Sequence, residues 1–295
     1  MIEAREIVKR YNGFTALDGV SFEFGDAGIF GIIGHNGAGK TTLLKIISGL
    51  ITPTSGSLAV NGIDVAKDPI TLKRMLGYLP EESRLYDTMT VEGYLTFFGE
   101  LYGLSRADIR TRSDELLGAL ALEAGGKKLG ELSKGMRRKV AIARSLIHDP
   151  SLLVYDEATS GLDPMTSRFI TEYLRTLRNE QKTIVISAHN LYQVEAICDR
   201  VMILRRGKVV ALGSMHELRE MFGSISYSIF FTTADPARID SSLPYTLADG
   251  ICRASARDID ELNRYTRSIA DSGGVVERIE SHYPTLEEML VKIGQ

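Results

Sequence analysis

The chain has 295 residues, of which 44% are apolar and 25% charged, and its formal net charge is −3. This length suits one large domain with an appendage, or two domains, and the charge offers no overall attraction to nucleic acid. Cys198 and Cys252 lack metal-ligand spacing, and no segment approaches the ~18 apolar residues of a membrane-spanning helix. Because the N-terminus also lacks the apolar stretch of a signal peptide, we expect a cytoplasmic protein with reduced cysteines.

The first 25 residues predict short β-strands. Apolar and polar residues alternate from Val20 to Phe24, and Asn12-Gly13 is typical of a tight turn. Tyr11 lies just before that turn and has two interpretations. It is either a half-buried strand residue or an aromatic ring that stacks on adenine, and the residues alone leave both open.

The segment 34–42 lies between two apolar runs, 29–33 and 43–47. This order of strand, glycine-rich turn and helix is the setting of a phosphate-binding loop, in which backbone N–H groups and a helix N-terminus face one anion. Lys40 is expected to reach the β- and γ-phosphates of a nucleoside triphosphate, and the Thr41 hydroxyl suits Mg²⁺. The loop residues are Gly34, His35, Asn36, Gly37, Ala38, Gly39, Lys40, Thr41 and Thr42.

Two further strand signals follow the loop. Asn61-Gly62, between two apolar segments, predicts a β-hairpin. Residues 76–79 predict a strand that ends just before Glu81.

A helical insert is predicted over residues 88–149, where the apolar spacing changes to that of helices. Ser105 is typical of an N-cap and opens a helix that extends through Leu122. Gly125-Gly126 ends that helix, and another follows Ser133.

The apolar segments 152–155 and 183–187 predict strands of a buried parallel sheet. Ligands of such sheets bind beyond the carboxyl ends of the strands, which is where Asp156, Glu157 and His189 fall. Asp156 can hold Mg²⁺, while Glu157 can polarise the water that attacks a phosphate. A single histidine is more often structural, but at the end of a neighbouring strand His189 is a candidate γ-phosphate contact.

The core is expected to end near residue 222, and residues 223–295 predict a small α+β domain. This domain has an apolar strand at 227–231, a further candidate strand at 251–254, a helix over 259–269, a strand at 275–279 and a last helix opened by a Thr285-x-x-Glu288 capping box. Residues 222–295 carry seven basic and eleven acidic residues, a balance of 7 − 11 = −4. Without ligand clusters or a phosphate loop, the domain favours an accessory role over catalysis or nucleic-acid binding.

Taken together, the motifs of residues 1–220 resemble the ATP-binding subunit of ATP-binding cassette (ABC) transporters. The resemblance implies a phosphate-loop ATPase core with an N-terminal antiparallel β subdomain, and ATP and Mg²⁺ as ligands. It implies that Tyr11 stacks on adenine and that Ser133 and Gly135 begin a helix facing the γ-phosphate of a second subunit. The motifs are Tyr11, 34–42, Leu132-Ser133-Lys134-Gly135-Met136, Asp156-Glu157, Ser160-Gly161-Leu162-Asp163 and His189.

Two positions depart from the family's pattern. Lys134 and Met136 stand where the signature Leu-Ser-Gly-Gly-Gln has its first glycine and its glutamine. Glu81 stands where the family usually has a glutamine, and its carboxylate can also ligate Mg²⁺ while adding charge. We expect function to be retained with the altered signature, where Lys134 adds positive charge near a phosphate, whereas the added charge of Glu81 is expected to alter coupling.

The resemblance predicts an ATPase that dimerises around two ATP molecules, with a homodimer favoured, and that drives a separate integral membrane permease. Leu162-Asp163-Pro164, Glu81 and the ending at 284–288 are most similar to ATPases of ABC-2-type exporters. Such a subunit would lie peripherally on the inner face of the cell membrane. No nucleic-acid partner is predicted.

Two alternatives differ in class. Soluble ABC ATPases that act on ribosomes or DNA typically carry two cassettes or a long coiled-coil insert, and this chain has neither. An ATP-binding regulatory module without turnover is disfavoured by the intact Glu157 and His189.

Overall fold

The computed structural model describes residues 1–25, 27–123, 126–223, 225–233 and 243–294. It divides into two compact units, Met1–Met215 and His216–Gln295. The first unit contains both sheets of the predicted ATPase core, and the second contains a sheet of its own. The predicted break at Gly125-Gly126 lies partly outside the described residues.

The elements of the first unit run in the predicted strand–loop–helix order. Its strands are β1 (Ile2–Tyr11), β2 (Phe14–Phe24), β3 (Gly28–Ile33), β4 (Ser55–Val60), β5 (Ile63–Asp64), β6 (Leu76–Leu79), β7 (Leu152–Asp156), β8 (Thr183–Ser187), β9 (Arg200–Arg205) and β10 (Lys208–Gly213). Its helices are α1 (Lys40–Ile47), α2 (Pro69–Met75), α3 (Val91–Leu101), α4 (Arg106–Ala119), α5 (Lys134–Leu146), α6 (Pro164–Asn179) and α7 (Leu191–Ile197), with a 3₁₀ turn at Leu129–Glu131. Helix α8 (Met215–Phe222) follows.

The six-stranded sheet has the order β10-β9-β3-β8-β7-β6. Its β9-β3-β8-β7-β6 part is parallel, and β10 joins β9 antiparallel. β3 and β7 are buried at every position and β8 at four of its five, because helices cover both faces of a parallel sheet. The predicted parallel sheet is therefore confirmed, and the ends of β3, β8 and β7 lie side by side.

The N-terminal strands form a second, antiparallel sheet with the order β2-β1-β4-β5. β1 and β2 have 10 and 11 residues, so the prediction of short strands was wrong here. Their register shifts between Ala4 and Ile7, where Glu6 adopts φ 50°, and this irregularity hides the alternation in β1. Helix α1 joins both sheets in one core, with Leu43, Leu44, Ile46 and Ile47 fully buried.

The predicted helical insert contains α3, α4 and α5, capped by Thr90, Ser105 and Ser133 respectively. Helix α4 ends at Ala119 rather than at Leu122. None of the helices in the described part of the chain has the length and apolar character that crossing a bilayer requires.

The second unit contains β11 (Ser226–Thr232), β12 (Tyr245–Ala248), β13 (Ile251–Ala256), α9 (Ile259–Asp271), β14 (Val275–His282) and α10 (Leu286–Gly294). The strands form an antiparallel sheet with the order β12-β13-β11-β14, and α9 packs on one face of it. Thr285 and Glu288 exchange the hydrogen bonds of the predicted capping box at 2.9 and 3.2 Å. The strand β12 was not predicted.

Candidate functional site

The loop between β3 and α1 has the conformation that its glycines allow. Gly34 has φ 152°, and a Cβ there would lie 2.2 Å from the carbonyl oxygen of Leu204. Gly39, the N-cap of α1, has φ 108°, and a Cβ there would lie 2.6 Å from the carbonyl oxygen of Ala16. Side chains at these two positions would displace the loop, so glycine is required for its curvature.

Lys40 is folded back over this loop and is buried, with 7% of its surface exposed. Its Nζ donates hydrogen bonds to the carbonyl oxygens of Gly34, at 2.7 Å, and of His35, at 3.2 Å. Burial lowers the pKa of the Lys40 amine, and the nearby carboxylates of Glu157, Asp156 and Glu81 act in the opposite direction. The amine is held where an anion in the loop would meet it.

Asp156 and Glu157 end β7 beside the loop, and Ser187 at the end of β8 contacts both. The Ser187 hydroxyl donates to the Asp156 carboxylate at 2.5 Å and accepts a hydrogen bond from the Glu157 N–H at 3.1 Å. Asp156 is buried, which removes it from competing water contacts. Ser187 thus connects the two neighbouring strand ends, a role that the sequence did not reveal.

Glu157 has φ 50°, a left-handed backbone conformation that costs about 1–3 kcal/mol for a residue other than glycine. Hydrogen bonds hold it from both sides. Its N–H is bonded to Ser187, and its carbonyl oxygen accepts from Arg138 Nη2 at 2.8 Å. The carboxylate is therefore presented from a backbone that its neighbours constrain.

Arg138, on α5, is a buried positioning residue that the sequence analysis missed. Burial lowers the pKa of its guanidinium to about 10. It donates to the carbonyl oxygens of Pro80 (2.7 Å), Glu81 (3.1 Å), Asp156 (3.0 Å), Glu157 (2.8 Å) and Ala158 (2.8 Å) and to the Ser83 hydroxyl (2.9 Å). One side chain thereby links the segment after β6 to the segment after β7. The sequence did offer one signal for this role. Arg138 is a charged residue that lies four positions before Ile142, among the buried residues of α5.

We expect Arg138→Lys to lower ATP hydrolysis by roughly 100-fold while ATP affinity changes little. A lysine cannot reach both segments, so Glu157 is released from its strained position, and small misplacements of this kind cost about that factor. Turnover by phosphate release and affinity by titration calorimetry would be compared. The control is Arg137→Lys on the same helix, whose guanidinium bonds Leu129 and Asp87 instead. Equal losses in affinity and turnover would contradict a positioning role.

A cavity of about 320 Å³ lies over the loop and brings together several predicted residues. His189 Nε2 lies 2.5 Å from Glu157 Oε1, and Glu157 itself is nearly buried while His189 is half exposed. The lining residues are Asn36, Gly37, Ala38, Gly39, Lys40, Thr41, Thr42, Glu81, Glu157 and His189. Residues from the ends of β3, β6, β7 and β8 therefore surround one volume suited to a polyphosphate.

The remaining predicted residues lie outside the lining of this cavity. Asp156 is the buried last residue of β7 and is in contact with Ser187. Ser133 and Gly135 line a separate cavity of about 290 Å³, and the Ser133 hydroxyl caps α5 by accepting from the Met136 N–H at 3.3 Å. Tyr11 is 44% exposed at the end of β1, with Lys9 Nζ 5.1 Å from its ring centroid. Their predicted roles stay predictions.

The oxygen atoms near the loop suit a magnesium ion that arrives with a nucleotide. Mg²⁺ usually keeps several waters and takes only one or two carboxylates besides phosphate oxygens. The Thr41 hydroxyl and the carboxylates of Asp156 and Glu81 are hard ligands of this kind. In the described residues, no group of three or more His, Cys, Asp or Glu is arranged to hold a metal ion alone, and this type of binding does not need one.

A phosphate loop beside strand ends that carry a carboxylate and a histidine defines the class of phosphate-loop nucleoside triphosphatases. Residues 17–160 match the family model of the ABC transporter domain. The chain is 42% identical over 207 residues to the ABC transporter ATP-binding protein NatA of Bacillus subtilis, covering 70% of this chain and 84% of that protein. It is 39% identical over 211 residues to the Nod factor export ATP-binding protein I of Ralstonia nicotianae, covering 71% and 66% respectively.

Among solved structures, the dimeric post-hydrolysis state of an ATP-binding cassette bound to ADP and Pi matches with a TM-score of 0.68 at 25% identity. The match covers 72% of this chain and 98% of that one. The chain therefore belongs to the ATP-binding proteins of ABC transporters, and it is an ATPase. The predicted ATPase fold, with its N-terminal antiparallel sheet, is confirmed.

Proposed function

We propose that this ATPase dimerises around two ATP molecules and drives a separate integral membrane permease in export, from the inner face of the cell membrane. The observation that carries this proposal is the cavity in which the phosphate loop meets Glu157 and His189. A dimeric cassette with ADP and Pi among the structural relatives, and an export protein among the sequence relatives, support dimerisation and direction.

The residues in and beside the cavity have separate chemical tasks in this proposal. Lys40 and the N–H groups of the loop bind the β- and γ-phosphates, and His189 contacts the γ-phosphate. Glu157 accepts a proton from the attacking water, and its contact with His189 keeps the two side chains together. When bound, Mg²⁺ neutralises phosphate charge. Thr41, Asp156 and Glu81 would supply its protein ligands.

The signature segment, residues 132–136, supports dimerisation, and we propose a homodimer. Ser133 and Gly135 do not line the phosphate cavity of their own chain, although both begin a helix whose N-terminus suits an anion. A second copy would bring them to that cavity. We propose in addition that Tyr11 stacks on adenine, since its ring is accessible at the strand end.

For the permease, we propose a docking groove that extends from Glu81 to Tyr86 and the start of α3. A cavity of about 490 Å³ lies along it, with Glu81, Glu82, Ser83 and Arg84 in its lining. Tyr86 and Phe97 are exposed, at 53% and 41%, and their ring centroids are 6.3 Å apart. Exposed aromatic pairs of this kind are enriched at protein interfaces. Through Arg138, this groove is also bonded to the backbone of Glu157.

We expect Tyr86→Arg to lower the fraction of the protein that sediments with native cell membranes by roughly tenfold, because a charge replaces an interface anchor. ATP affinity should be unchanged, because Tyr86 does not line the ATP cavity. The matched control is Ile70→Arg on α2, which replaces another exposed apolar residue, 68% accessible. Sedimentation of the wild type with ribosomes or DNA instead of membranes would overturn the transport role.

For residues 223–295, we propose an accessory domain that supports dimerisation or modulates turnover and leaves the ATP site intact. The unit from His216 onward has a buried core around Ile229 and Phe231. A domain of about 70 residues gains limited stability from its core, so a further surface contact is expected.

A further inference from the structure

The edge strand β14 is the longest strand of the C-terminal sheet, and it pairs on one side alone. It forms its ladder with β11, and within the described residues no strand pairs with its outer edge. Six of its eight residues are exposed, including Val275 at 63% and Ile279 at 46%. An accessible edge of this length presents a row of unpaired backbone donors and acceptors to any compatible strand.

The usual protections of an edge are incomplete along β14. It contains neither proline nor lysine. A bulge is present at its start, because Phe230 pairs with Arg278 while Phe231 pairs with Val276, which leaves Glu277 unmatched. Residues 278–282 beyond the bulge are in regular register with β11. The open part of the edge is therefore this C-terminal half.

The side chains of that half are complementary to themselves. If two copies pair antiparallel with Ile279 opposite Ile279, then Arg278 of each copy lies opposite Glu280 of the other. Directly opposite residues point to the same face, so two reciprocal ion pairs form on one face while the two isoleucines meet on the other. Ile229 of β11 pairs with Ile279 of β14 and lies on the buried face of the sheet. The two isoleucines would therefore extend that buried face.

Arg278 and Glu280 are already arranged for such pairing. Arg278 Nε lies 3.3 Å from Glu280 Oε1 within the strand, and its guanidinium lies 4.3 Å from the ring centroid of Phe230. The Arg278 side chain is nonetheless 62% exposed. Because its orientation is set before association, less conformational entropy is lost when a second copy approaches.

Two other registers on the regular half of β14 are less favourable. Centring the pair on Arg278 or on Glu280 places like charges directly opposite each other, which is destabilising. Pairing Glu277 with Arg278 requires the bulged part of the strand. Within residues 278–282, the register centred on Ile279 alone forms both opposite-charge pairs.

We propose that β14 is a self-association edge, and that the C-terminal units of two copies of this chain join through it into one continuous antiparallel sheet. This pairing specifies the accessory role proposed above and rests on it. One strand pair buries much less than the ~800 Å² per partner of a stable interface. It therefore depends on the ATPase units to hold two copies together, at an effective concentration that a tether raises to the millimolar range.

Cysteine cross-linking tests the register directly. Opposite residues of an antiparallel pair have Cα atoms ~4.5–5.5 Å apart, within the range for a disulfide. We therefore expect Ile279→Cys to cross-link to its own copy under mild oxidation. In the proposed register Ser281 lies opposite Glu277, so two Ser281 residues are ~14 Å apart along the strands. Ser281→Cys is the matched control, and its yield should be at least ~10-fold lower.

Charge reversal adds a second readout in the Ile279→Cys background. Arg278→Glu should lower the disulfide yield at least ~5-fold, because four carboxylates then converge. Adding Glu280→Arg should restore it, since the reciprocal pairs re-form with opposite sign. The unchanged chain serves as a blank, as Cys198 and Cys252 are both buried. Equal yields at 279 and 281, or no yield at either, would overturn the proposed edge.

These outcomes separate the edge from the ATP-dependent dimer. Cross-linking is measured with and without ATP in full-length protein that also carries Glu157→Gln, and dimerisation is measured in parallel by size exclusion. An ATP-dependent dimer without a disulfide at 279 would reject the edge and leave the proposed function standing. A disulfide at 279 without any ATP-dependent dimer would reject the ATP sandwich, keep the register of β14 and overturn the dependence of the edge on the ATPase units.

Discussion

Lys40→Ala is expected to weaken ATP binding by at least ~100-fold, which corresponds to ~2.7 kcal/mol. The ATP cavity is lined by Asn36–Thr42, Glu81, Glu157 and His189. Lys40 is the one lysine among these lining residues, and the mutation removes its amine. Removing one partner of a buried, hydrogen-bonded charge pair typically costs 2–5 kcal/mol or more, because the other charge stays desolvated. Here the unpaired charge would be that of the phosphates, next to three carboxylates that already act on Lys40.

Titration calorimetry with ATP and Mg²⁺ would measure the loss, and hydrolysis should fall with it. Lys45→Ala is the matched control, because Lys45 lies in the last turn of the same helix and is exposed. A melting curve would show whether losing the bonds from Lys40 to Gly34 and His35 unfolds the loop region. A folded Lys40→Ala protein with wild-type affinity and turnover would refute the assignment of the phosphate loop.

The part of the site that could be predicted from the sequence depends on short-range order. Residues 34–42 and Asp156-Glu157 directly follow apolar strand segments, and His189 lies two residues beyond one. Parallel strands place their carboxyl ends at one edge of a sheet. The phosphate loop, Glu157 and His189 therefore meet because β3, β8 and β7 are neighbours. The hairpin at Asn61-Gly62 could also be predicted from neighbouring residues, because Asn-Gly favours the positive φ that a two-residue turn requires. The two residues adopt φ 49° and 79°.

The contacts that the sequence did not reveal all cross long distances along the chain. Arg138 reaches Pro80 and Glu157, 58 and 19 residues away, through backbone carbonyls that carry no side-chain signal. Ser187 meets Asp156 across 31 residues, and a serine at the end of an apolar strand looks unremarkable in a sequence. Side-chain-to-carbonyl bonding depends on the assembled sheet, so pattern and spacing do not encode it.

The strand order of the C-terminal sheet could not be predicted either. β12 is only four residues long, with three of them exposed, so it lacks the apolar alternation by which strands are recognised. β14 was predicted as a strand from Val275 to Ile279, but its position at the edge follows from pairing with β11 alone. That position is what leaves Arg278 and Glu280 accessible.

Glu157→Gln is expected to keep ATP affinity within a few-fold of wild type and to lower hydrolysis by roughly 10²–10⁴-fold, the range attributed to a positioned general base. The amide has nearly the same size as the carboxylate, so the contacts of the Glu157 backbone with Ser187 and Arg138 persist. What disappears is the ability to accept a proton from the attacking water. Glu82→Gln is the control for the chemical change alone, since Glu82 is 81% exposed.

Without hydrolysis, bound ATP should hold two copies of the Glu157→Gln protein together, because the proposed closed dimer opens only after phosphate is released. Size exclusion with ATP and Mg²⁺ would then show mainly dimer for Glu157→Gln and mainly monomer for wild type, and ADP should leave both monomeric. The edge strand β14 contributes too little buried surface to produce this dimer without nucleotide. If the variant with ATP forms no more dimer than wild type, two ATP molecules do not join two copies of this chain, and Ser133 and Gly135 do not serve a neighbouring site.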